Sequence, residues 1–431
     1  MQYYSLQHQA PKVSFKEAVL SGQAPDKGLY FPEDLPKLPK DFIENLPSLS
    51  KEEIGYTVMK PFIGEDIPEA TLKQIIAETV NFEFPLQKIN DQIFSLELFH
   101  GPTYAFKDVG ARFMSRCLGY FHQNEAKKTT ILVATSGDTG GAVANGFLGV
   151  EGVEVIILYP SGKVSPIQEL QLTTCGQNIT ALEIEGSFDD CQAIVKQAFM
   201  DQDLKQAYNL TSANSINVGR WLPQQLYYFY GCQKWQAKKP PVICVPSGNF
   251  GNICAGLLAH TSGLPASHFI AACNINDTVP VFMQTGNYQP KPSTATISNA
   301  MDVGSPSNFS RILEIFDGKM ENLKTRLSSV SVTDEQTKAT IKEVYSKSKY
   351  LLDPHGAVAY HALEDYLQSH PEDKGFILET AHPVKFPDVI ESLLNIKIPL
   401  PDNAAQMSLA DKCAVALPAS FNAIKSWLLS R

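Results

Sequence analysis

The sequence lacks an excess of basic residues. Its 431 residues include 36 Lys and Arg against 45 Asp and Glu, which gives a formal net charge of −9 at pH 7. Proteins that bind the nucleic-acid backbone carry a basic face, because contacts with phosphates supply much of the affinity. The composition therefore argues against nucleic acid as a partner. It leaves room for an anionic small molecule held in a local pocket.

Paired cysteines are also missing. The eight cysteines form no C-x-x-C pair, and none stands beside a spaced pair of histidines. This pattern favours neither a zinc site nor a disulfide scaffold. Cys244 and Cys273 lie inside apolar runs, where cysteine behaves as a small buried hydrophobe. We expect a protein of a reducing compartment that binds no metal.

Long apolar runs are absent as well. No stretch approaches the roughly 18 residues needed to span a bilayer. The segment 1–15 has neither the basic nor the apolar region of a secretory signal. Hydrophobic residues make up 44% of the chain, which is too many for intrinsic disorder. We therefore expect a folded cytoplasmic protein without a membrane segment, and the length predicts two or three domains.

The chain divides into three predicted parts. Residues 1–95 combine short helical patterns with proline-rich connections, which indicates an N-terminal accessory domain. Residues 96–390 alternate short apolar runs with helical patterns, although 310–370 is helical and charged. Runs this short and continuously apolar are typical of parallel strands covered by helices on both faces. We predict an α/β fold with doubly wound, mostly parallel sheets, and a C-terminal tail, 391–431, packed against it.

The predicted strands of the central part are ILVAT at 131–135, VEVIILYP at 153–160, ITALEIE at 179–185, PVICVPSG at 241–248, HFIAACN at 268–274 and GFILET at 375–380. In open α/β sheets, ligands bind beyond the carboxyl ends of the strands, where loops meet helix N-termini. Candidate site residues are therefore sought in the segments that follow these runs.

Lys107 begins a predicted helix. Apolar residues recur at helical spacing from Phe106 to Phe121. A lysine in the first turn is unusual, because the helix dipole favours anions there. The side chain can simply reach solvent, as most lysines do. Alternatively, the helix end and apolar neighbours lower its pKa and leave a neutral amine able to form a Schiff base.

Two glycine-rich turns each follow a predicted strand and open a helix. The first offers the hydroxyls of Ser136 and Thr139 beside Gly137, and the second is the segment SGNFGN at 247–252. Unpaired N–H groups at a helix N-terminus suit a carboxylate or a phosphate. Neither turn is a dinucleotide or a Walker A motif. Such turns are also common as merely tight connections.

Two further polar segments contain candidate anion-binding residues. Asn214, Ser215 and Arg220 lie in the first, and an arginine at the end of a polar loop can grip a phosphate with two hydrogen bonds. Thr380 and Lys385 follow the last predicted strand. Each segment can equally be ordinary solvated loop.

Taken together, these segments resemble the threonine synthase family, specifically its bacterial and fungal branch. The matching motifs are GLYFP at 28–32, HGPTYAFKD at 100–108, TSGDTG at 135–140, NSIN at 214–217, PSGNFGN at 246–252 and TAHPVKF at 380–386. The resemblance covers most of the chain in consistent order. It implies the fold of the tryptophan-synthase-β-like, fold type II enzymes, which depend on pyridoxal 5′-phosphate.

The resemblance also implies a cofactor site. Lys107 would carry pyridoxal phosphate as a Schiff base, Thr380 would face the pyridine nitrogen, and Asp138 would lie near the cofactor's 3′-oxygen. The residues that would hold the cofactor phosphate are Gly248, Asn249, Phe250, Gly251 and Asn252. An aspartate beside a phenolate and a carboxylate implies that one of these groups holds a proton, and the sequence leaves open which one.

The substrate site implied by the resemblance comprises Ser136, Gly137 and Thr139 for the α-carboxylate. Asn214, Ser215 and Arg220 would bind the substrate phosphate, with Lys385 as a weaker candidate. The implied reaction is a carbon–oxygen lyase step that converts O-phospho-L-homoserine and water into L-threonine and phosphate, the last step of threonine biosynthesis. Lys107 would transfer the protons.

Other functions share parts of this pattern. A dehydratase or a β-replacement synthase of the same cofactor group would keep the lysine and the glycine-rich turn. A phospho-lyase would release 2-oxobutanoate instead of threonine, and a regulatory paralogue would have lost catalysis. We expect a monomer or a small homo-oligomer. For His355, a capping or core role is favoured over catalysis.

Overall fold

The computed structural model describes residues 1–123, 128–401 and 411–431. Its strands form three sheets. The strands are β1 (Gln2–Ser5), β2 (Val13–Ser14), β3 (Tyr30–Pro32), β4 (Leu86–Lys88), β5 (Ile93–Glu97), β6 (Thr129–Ala134), β7 (Val153–Pro160), β8 (Ile179–Glu185), β9 (Asn209–Thr211), β10 (Val242–Pro246), β11 (His268–Cys273), β12 (Leu327–Ser331), β13 (Gly375–Glu379) and β14 (Val415–Pro418). The sheet orders are β2-β1-β3, β12-β11-β10-β13-β5-β4 and β14-β8-β7-β6-β9.

The two larger sheets are built from parallel strands, and β4 alone among their described strands pairs antiparallel. The central strand β10 is buried along its whole length. Its sequence is apolar throughout because helices cover both faces of the sheet. This arrangement confirms the predicted α/β fold with mostly parallel sheets.

Helices connect the strands and cover the sheets. They are α1 (Phe15–Ser21), α2 (Lys40–Glu44), α3 (Lys51–Ile63), α4 (Glu69–Thr79), α5 (Lys107–His122), α6 (Asp138–Phe147), α7 (Pro166–Thr173), α8 (Phe188–Ala198), α9 (Gln202–Ala207), α10 (Val218–Trp221), α11 (Gln225–Gln233), α12 (Gly251–Thr261), α13 (Thr278–Thr285), α14 (Phe309–Ile315), α15 (Met320–Arg326), α16 (Asp334–Ser348), α17 (Pro354–Ser369), α18 (Pro387–Leu394) and α19 (Phe421–Leu429). Short 3₁₀ turns lie at Leu46–Ser48, Leu222–Gln224, Asn299–Met301 and Pro383–Lys385.

Helix α5 determines the position of Lys107. The residues of α5 facing inward, from Val109 to Phe121, are almost fully buried in the main hydrophobic core. At the start of the helix, the Asp108 carboxylate accepts a hydrogen bond of 2.9 Å from the backbone N–H of Thr103. This bond holds the loop before α5 against the first turn of the helix. Lys107 is the first residue of α5.

The structure contains strands that the sequence patterns did not predict. β12 interrupts the segment 310–370, which was predicted to be helical, and pairs with β11 at the edge of its sheet. Its sequence LSSVS is short and half polar, so periodicity gives little signal. The N-terminal part contains the small sheet β2-β1-β3 as well as helices, and the C-terminal tail adds β14 to the second large sheet. The predicted boundaries at 95 and 390 stay a prediction.

Among the described residues, no helix is long and apolar enough to cross a membrane. Within the same ranges, no group of three or more His, Cys, Asp and Glu side chains is placed to hold a metal ion.

Candidate active site

The predicted site residues meet where the parallel strands end. Lys107, Phe250 and Thr380 follow β5, β10 and β13 of the six-stranded sheet, and Asp138 follows β6 of the other large sheet. Carboxyl ends of parallel strands share one edge of a sheet, so side chains from distant parts of the chain converge there.

Backbone hydrogen bonds fix Lys107 beside Thr380. The loop after β5 runs alongside the segment after β13: Leu98 N–H donates to the Glu379 carbonyl over 3.0 Å, and Phe106 N–H donates to the Thr380 carbonyl over 2.9 Å. Because these bonds join main-chain atoms, they fix the backbone position of Lys107 independently of the side chains around it.

The Lys107 amine is electrostatically unusual. Burial lowers the pKa of this amine to about 8, with Asp138 opposing the shift and the cations Lys385 and Arg220 adding to it. A buried lysine loses the hydration that stabilises its charged form. The amine can therefore both give and take a proton near neutral pH, as a nucleophile or general base must.

Asp138 and Lys385 form a buried ion pair. Lys385 Nζ lies 2.6 Å from Asp138 Oδ1, and the same oxygen accepts a 2.9 Å hydrogen bond from Gln168 Nε2. Although burial acts to raise the pKa of Asp138, the charges of Lys385 and Lys107 hold it well below its ordinary value. The carboxylate of Asp138 is thus ionised.

Thr135 shapes the first glycine-rich turn. Its hydroxyl oxygen accepts hydrogen bonds from Gly137 N–H (3.0 Å) and Gly140 N–H (2.8 Å). Gly137 has φ 136°, a conformation that favours glycine. The N–H groups of Asp138 and Thr139, in the first turn of α6, donate to no described residue. They remain available to a carboxylate, with the half-buried Ser136 beside them.

The second glycine-rich turn presents backbone N–H groups. The N–H groups of residues 248–252 donate hydrogen bonds to no described residue. Phe250 has φ 61°, which directs consecutive N–H groups to one side, and α12 begins immediately afterwards. The side chain of Asn252 donates instead to the Pro246 carbonyl over 2.7 Å and stabilises the turn from within. This turn fits a phosphate group.

Ser215 connects this turn to the polar segment 212–220. Its hydroxyl oxygen accepts hydrogen bonds from Asn249 Nδ2 (3.0 Å) and Asn308 Nδ2 (3.1 Å). A hydroxyl has two acceptor sites and one donor proton, so both acceptor sites are used and the proton remains to be donated. Arg311 braces the same loop by donating to the Ser215 carbonyl over 3.0 Å.

Arg220 is a buried cation without an acidic partner. It is 4% exposed, and its guanidinium donates to the Ala213 carbonyl over 2.6 Å, while its Nε has no hydrogen-bond partner. The carboxylate that acts on its pKa, Asp108, accepts its hydrogen bond from the Thr103 N–H instead. Burial lowers its pKa to about 10, so the side chain stays charged near neutral pH. A buried, unpaired guanidinium fits an anionic ligand.

The donor set fits pyridoxal phosphate. The ligand has an aldehyde, which suits the low-pKa amine of Lys107, and a phosphate, which suits the unoccupied N–H groups of residues 248–252. Thr380, which also carries a hydroxyl, directly follows β13, the neighbour of β10 in the same sheet.

Comparisons with known proteins agree with this geometry. The chain matches the family described as pyridoxal-phosphate dependent enzyme over residues 77–378, the threonine synthase N terminus over 2–80 and the threonine synthase C-terminal region over 356–428. It is 45% identical to the threonine synthase of Serratia marcescens over 431 residues, covering 100% of this chain and 99% of the other. The chain belongs to the threonine synthase family.

Solved structures of threonine synthases superpose closely. The structure from Escherichia coli matches with a TM-score of 0.93 at 43% identity over 100% of both chains. A pyridoxal-phosphate-bound threonine synthase from Brucella melitensis matches with a TM-score of 0.94 at 34% identity, over 99% of this chain and 98% of that one. The predicted family, fold class and dependence on pyridoxal phosphate are confirmed.

Several residues of the site were not found from the sequence. Gln168 and Thr135 shape the first turn, and Asn308 and Arg311 brace the second. Gln168 carries one signal: it stands three residues after Ser165, as in a capping box, and the structure forms that box. Asn308 and Arg311 carry no such signal: Arg311 lies in the segment 310–370, which was predicted only to be helical and charged, and Asn308 lies just before it.

Proposed function

We propose that this protein converts O-phospho-L-homoserine and water into L-threonine and phosphate. The observation that carries the proposal is the low-pKa amine of Lys107 between two N–H-lined turns, with the unpaired cation Arg220 nearby. When bound, pyridoxal phosphate supplies an electron sink for the pair left behind when a proton leaves the substrate α-carbon.

The residues of this chain divide the binding work. Lys107 would bond to the cofactor aldehyde, Thr380 would stand at the pyridine nitrogen, and Asp138 near the 3′-oxygen. The phosphate would be held by the N–H groups of Gly248, Asn249, Phe250, Gly251 and Asn252. Because Asp138 is ionised and paired with Lys385, the pair presents little net charge to the ring.

Substrate binding uses the remaining unsatisfied donors. The N–H of Thr139 and the hydroxyl of Ser136 would hold the α-carboxylate, and Gly137, whose own N–H is taken by Thr135, would let the carboxylate approach the backbone closely. Arg220 would hold the substrate phosphate through charge-assisted hydrogen bonds. Ser215 would donate its free hydroxyl proton to that phosphate. The half-buried amide of Asn214, in the same loop, would bind the same phosphate. An ammonium has three donors, so Lys385 keeps two for an anion while bound to Asp138.

Lys107 Nζ would move the protons. With its pKa near 8, it would take the α-proton, release it, and serve the later transfers at the β- and γ-carbons as phosphate leaves and water adds. One mobile amine is sufficient for several steps because its base form regenerates at neutral pH.

Product analysis tests the proposal. The protein is incubated with pyridoxal phosphate and O-phospho-L-homoserine, and threonine, phosphate and 2-oxobutanoate are quantified. We expect threonine and phosphate in equal amounts. Release of 2-oxobutanoate instead would assign a phospho-lyase, and turnover of serine or threonine alone would assign a dehydratase.

A pair of lysine variants tests the assignment of the amine. Lys107→Ala should abolish turnover and the long-wavelength absorbance of lysine-bound cofactor. Lys342→Ala, which removes an exposed lysine of α16, should retain both. Normal turnover in Lys107→Ala would refute the assignment.

We also propose that the protein works in the cytoplasm, as a monomer or a small homo-oligomer, and without nucleic acid. The net charge of −9 and eight free thiols support the compartment and the lack of nucleic acid. Light scattering of the purified protein measures the oligomeric state.

A further inference from the structure

We infer that His355 is a positioning residue: it holds the 3₁₀ turn Asn299–Met301 against Gly248, behind the turn that would receive the cofactor phosphate. The inference rests on the cofactor site proposed above. It gives a role to the segment around His355, for which the sequence favoured capping or core packing.

The imidazole of His355 bridges two segments. Its side chain is 3% exposed and lies near the start of α17. Nδ1 lies 2.6 Å from Asp353 Oδ1, and Nε2 accepts a 3.2 Å hydrogen bond from the backbone N–H of Ala300. A neutral ring with its proton on Nδ1 satisfies both contacts, because it donates to the carboxylate and accepts from the amide.

The turn that His355 holds is packed directly on Gly248. A Cβ atom added to Gly248 would lie 2.7 Å from Met301 Cα and 2.9 Å from the Ala300 carbonyl oxygen. No space separates the two backbones, so a displacement of the turn displaces Gly248 as well. The glycine is the first residue of the N–H-lined turn.

The ring is not needed to cap its own helix. The carboxylate of Asp353 already accepts from the His355 backbone N–H over 2.6 Å, as an N-cap does. The backbone N–H of Asp353 in turn donates to Glu379 Oε1 over 2.7 Å, immediately before Thr380. A chain of hydrogen bonds thus runs from Glu379, next to Thr380, through Asp353 and His355 to the 3₁₀ turn that packs on Gly248. Thr380 and Gly248 lie at the two ends of the proposed cofactor site.

Two substitutions separate the two contacts of the ring. In His355→Asn the amide matches the position of Nδ1 and keeps the contact with Asp353, but it is too short to reach Ala300. In His355→Gln the side-chain oxygen reaches the position of Nε2 and can accept from Ala300. If the contact with Ala300 matters, only the first variant should impair the phosphate-binding turn.

The measurement is the affinity of the apo-protein for pyridoxal phosphate and for pyridoxal, which has no phosphate. We expect His355→Asn to bind pyridoxal phosphate about 10-fold more weakly, the cost of one buried hydrogen bond left unmade, with pyridoxal affinity unchanged. His355→Gln should stay within about 3-fold of the parent protein for both ligands.

Ala300→Pro tests the same bond from the other side. It replaces the N–H donor by the proline Cδ atom, which faces His355 Nε2, so the hydrogen bond is lost from the side of the turn; proline is compatible with a 3₁₀ turn because it fixes a helical φ. We expect the same selective loss of pyridoxal phosphate affinity, so the inference remains testable if His355→Asn does not fold. His361→Asn, on the same helix but bonded to α16, is the matched control and should change neither affinity.

Unchanged pyridoxal phosphate affinity in both His355→Asn and Ala300→Pro would overturn the inference. An equal loss for pyridoxal would also overturn it, since it would mean general destabilisation. Failure of the proposed function looks different: the parent protein would then bind pyridoxal phosphate no better than Lys107→Ala does.

Discussion

Lys385 Nζ lies 2.6 Å from Asp138 Oδ1, and both side chains are buried. The pair joins the two large sheets, because Asp138 begins the helix after β6 and Lys385 ends the turn after β13. The sequence left open which group near Asp138 holds a proton. The lowered pKa of Asp138 indicates that its own carboxyl group is ionised.

Removing Lys385 should leave the buried Asp138 carboxylate without its ion-pair partner and with Lys107 as the cation that still acts on it. We expect Lys385→Met to lower the free energy of unfolding by about 3–5 kcal/mol, the usual cost of breaking a buried ion pair from one side. Urea denaturation followed by circular dichroism measures this loss. The double variant Asp138→Asn with Lys385→Met should recover much of it, because no isolated charge remains.

An exposed pair is the matched control. Lys347 and Glu343 form an ion pair on the surface of α16, with side chains 73% and 48% exposed. Lys347→Met should change the free energy of unfolding by about 0.5 kcal/mol or less. If Lys385→Met were as stable as this control, the buried pair would not have the energetic importance assigned to it.

The pKa of Lys107 predicts how cofactor loading depends on pH. The neutral amine is the nucleophile, so the rate at which apo-protein gains lysine-bound cofactor absorbance should rise with pH and level off above about pH 8. With a pKa of about 8, roughly one amine in ten is neutral at pH 7 and roughly nine in ten at pH 9. Stopped-flow mixing from pH 6.5 to 10 measures the profile.

In Lys385→Met, the inflection of this pH profile should shift in a direction that the structure predicts. Lys385 lowers the pKa of Lys107 and Asp138 raises it, so removing the first and keeping the second should move the inflection to higher pH. A rate that rises without levelling up to pH 10, in the parent protein, would mean that the amine titrates like an ordinary lysine.

The sequence predicted best those strands and helices whose apolar pattern lies within a short stretch of the chain. The runs at 153–160 and 179–185 match β7 and β8 residue for residue, because both strands are rich in buried aliphatic residues within one short stretch. β12 was missed because an edge strand with three serines among five residues resembles a loop. The start of α5 next to Lys107 was predicted correctly from its apolar spacing.

The contacts of the site were beyond sequence reasoning. Asp138 and Lys385 are 247 positions apart, and no local pattern predicts that they pair. Arg311 braces the loop at Ser215 from 96 positions away. Motifs indicated candidate residues for the site, whereas the packing of the two sheets determines which of these residues touch.

Gly248 should not tolerate a side chain. An added Cβ would lie 2.7 Å from Met301 Cα, and a backbone atom at that distance must move. We expect Gly248→Ala to weaken pyridoxal phosphate affinity by about 10-fold or more, because the turn that presents its N–H groups is displaced. Cofactor titration of apo-protein, followed by fluorescence, measures the change.

Gly119→Ala is the control for this substitution. Gly119 lies inside α5, and its added Cβ would meet only Val150 Cγ1, at 3.2 Å. Replacing a glycine by alanine in a helix interior favours folding by about 0.5–1 kcal/mol. Cofactor affinity in Gly119→Ala should be unchanged, and equal losses in the two variants would contradict the argument from close packing at Gly248.

Arg220, proposed above to bind the substrate phosphate, should affect substrate affinity and stability in opposite directions. Its buried guanidinium forms no ion pair with a described carboxylate, and its Nε is unsatisfied. The desolvated charge should therefore lower the free energy of unfolding until an anion binds to it. We expect Arg220→Met to lower kcat/KM for O-phospho-L-homoserine by about 100-fold and to abolish inhibition by inorganic phosphate. The melting temperature should not fall, because a desolvated charge has been removed.

Steady-state kinetics, phosphate inhibition and a thermal melt of the same preparation test all three effects of Arg220→Met. Its cofactor absorbance should equal that of the parent protein, which separates loss of substrate binding from loss of the cofactor. Arg326→Gln, on the exposed face of α15, should leave every value unchanged. Arg220→Lys should recover only part of the activity, because an ammonium cannot form the paired hydrogen bonds of a guanidinium. Undiminished phosphate inhibition in Arg220→Met would place the substrate phosphate elsewhere.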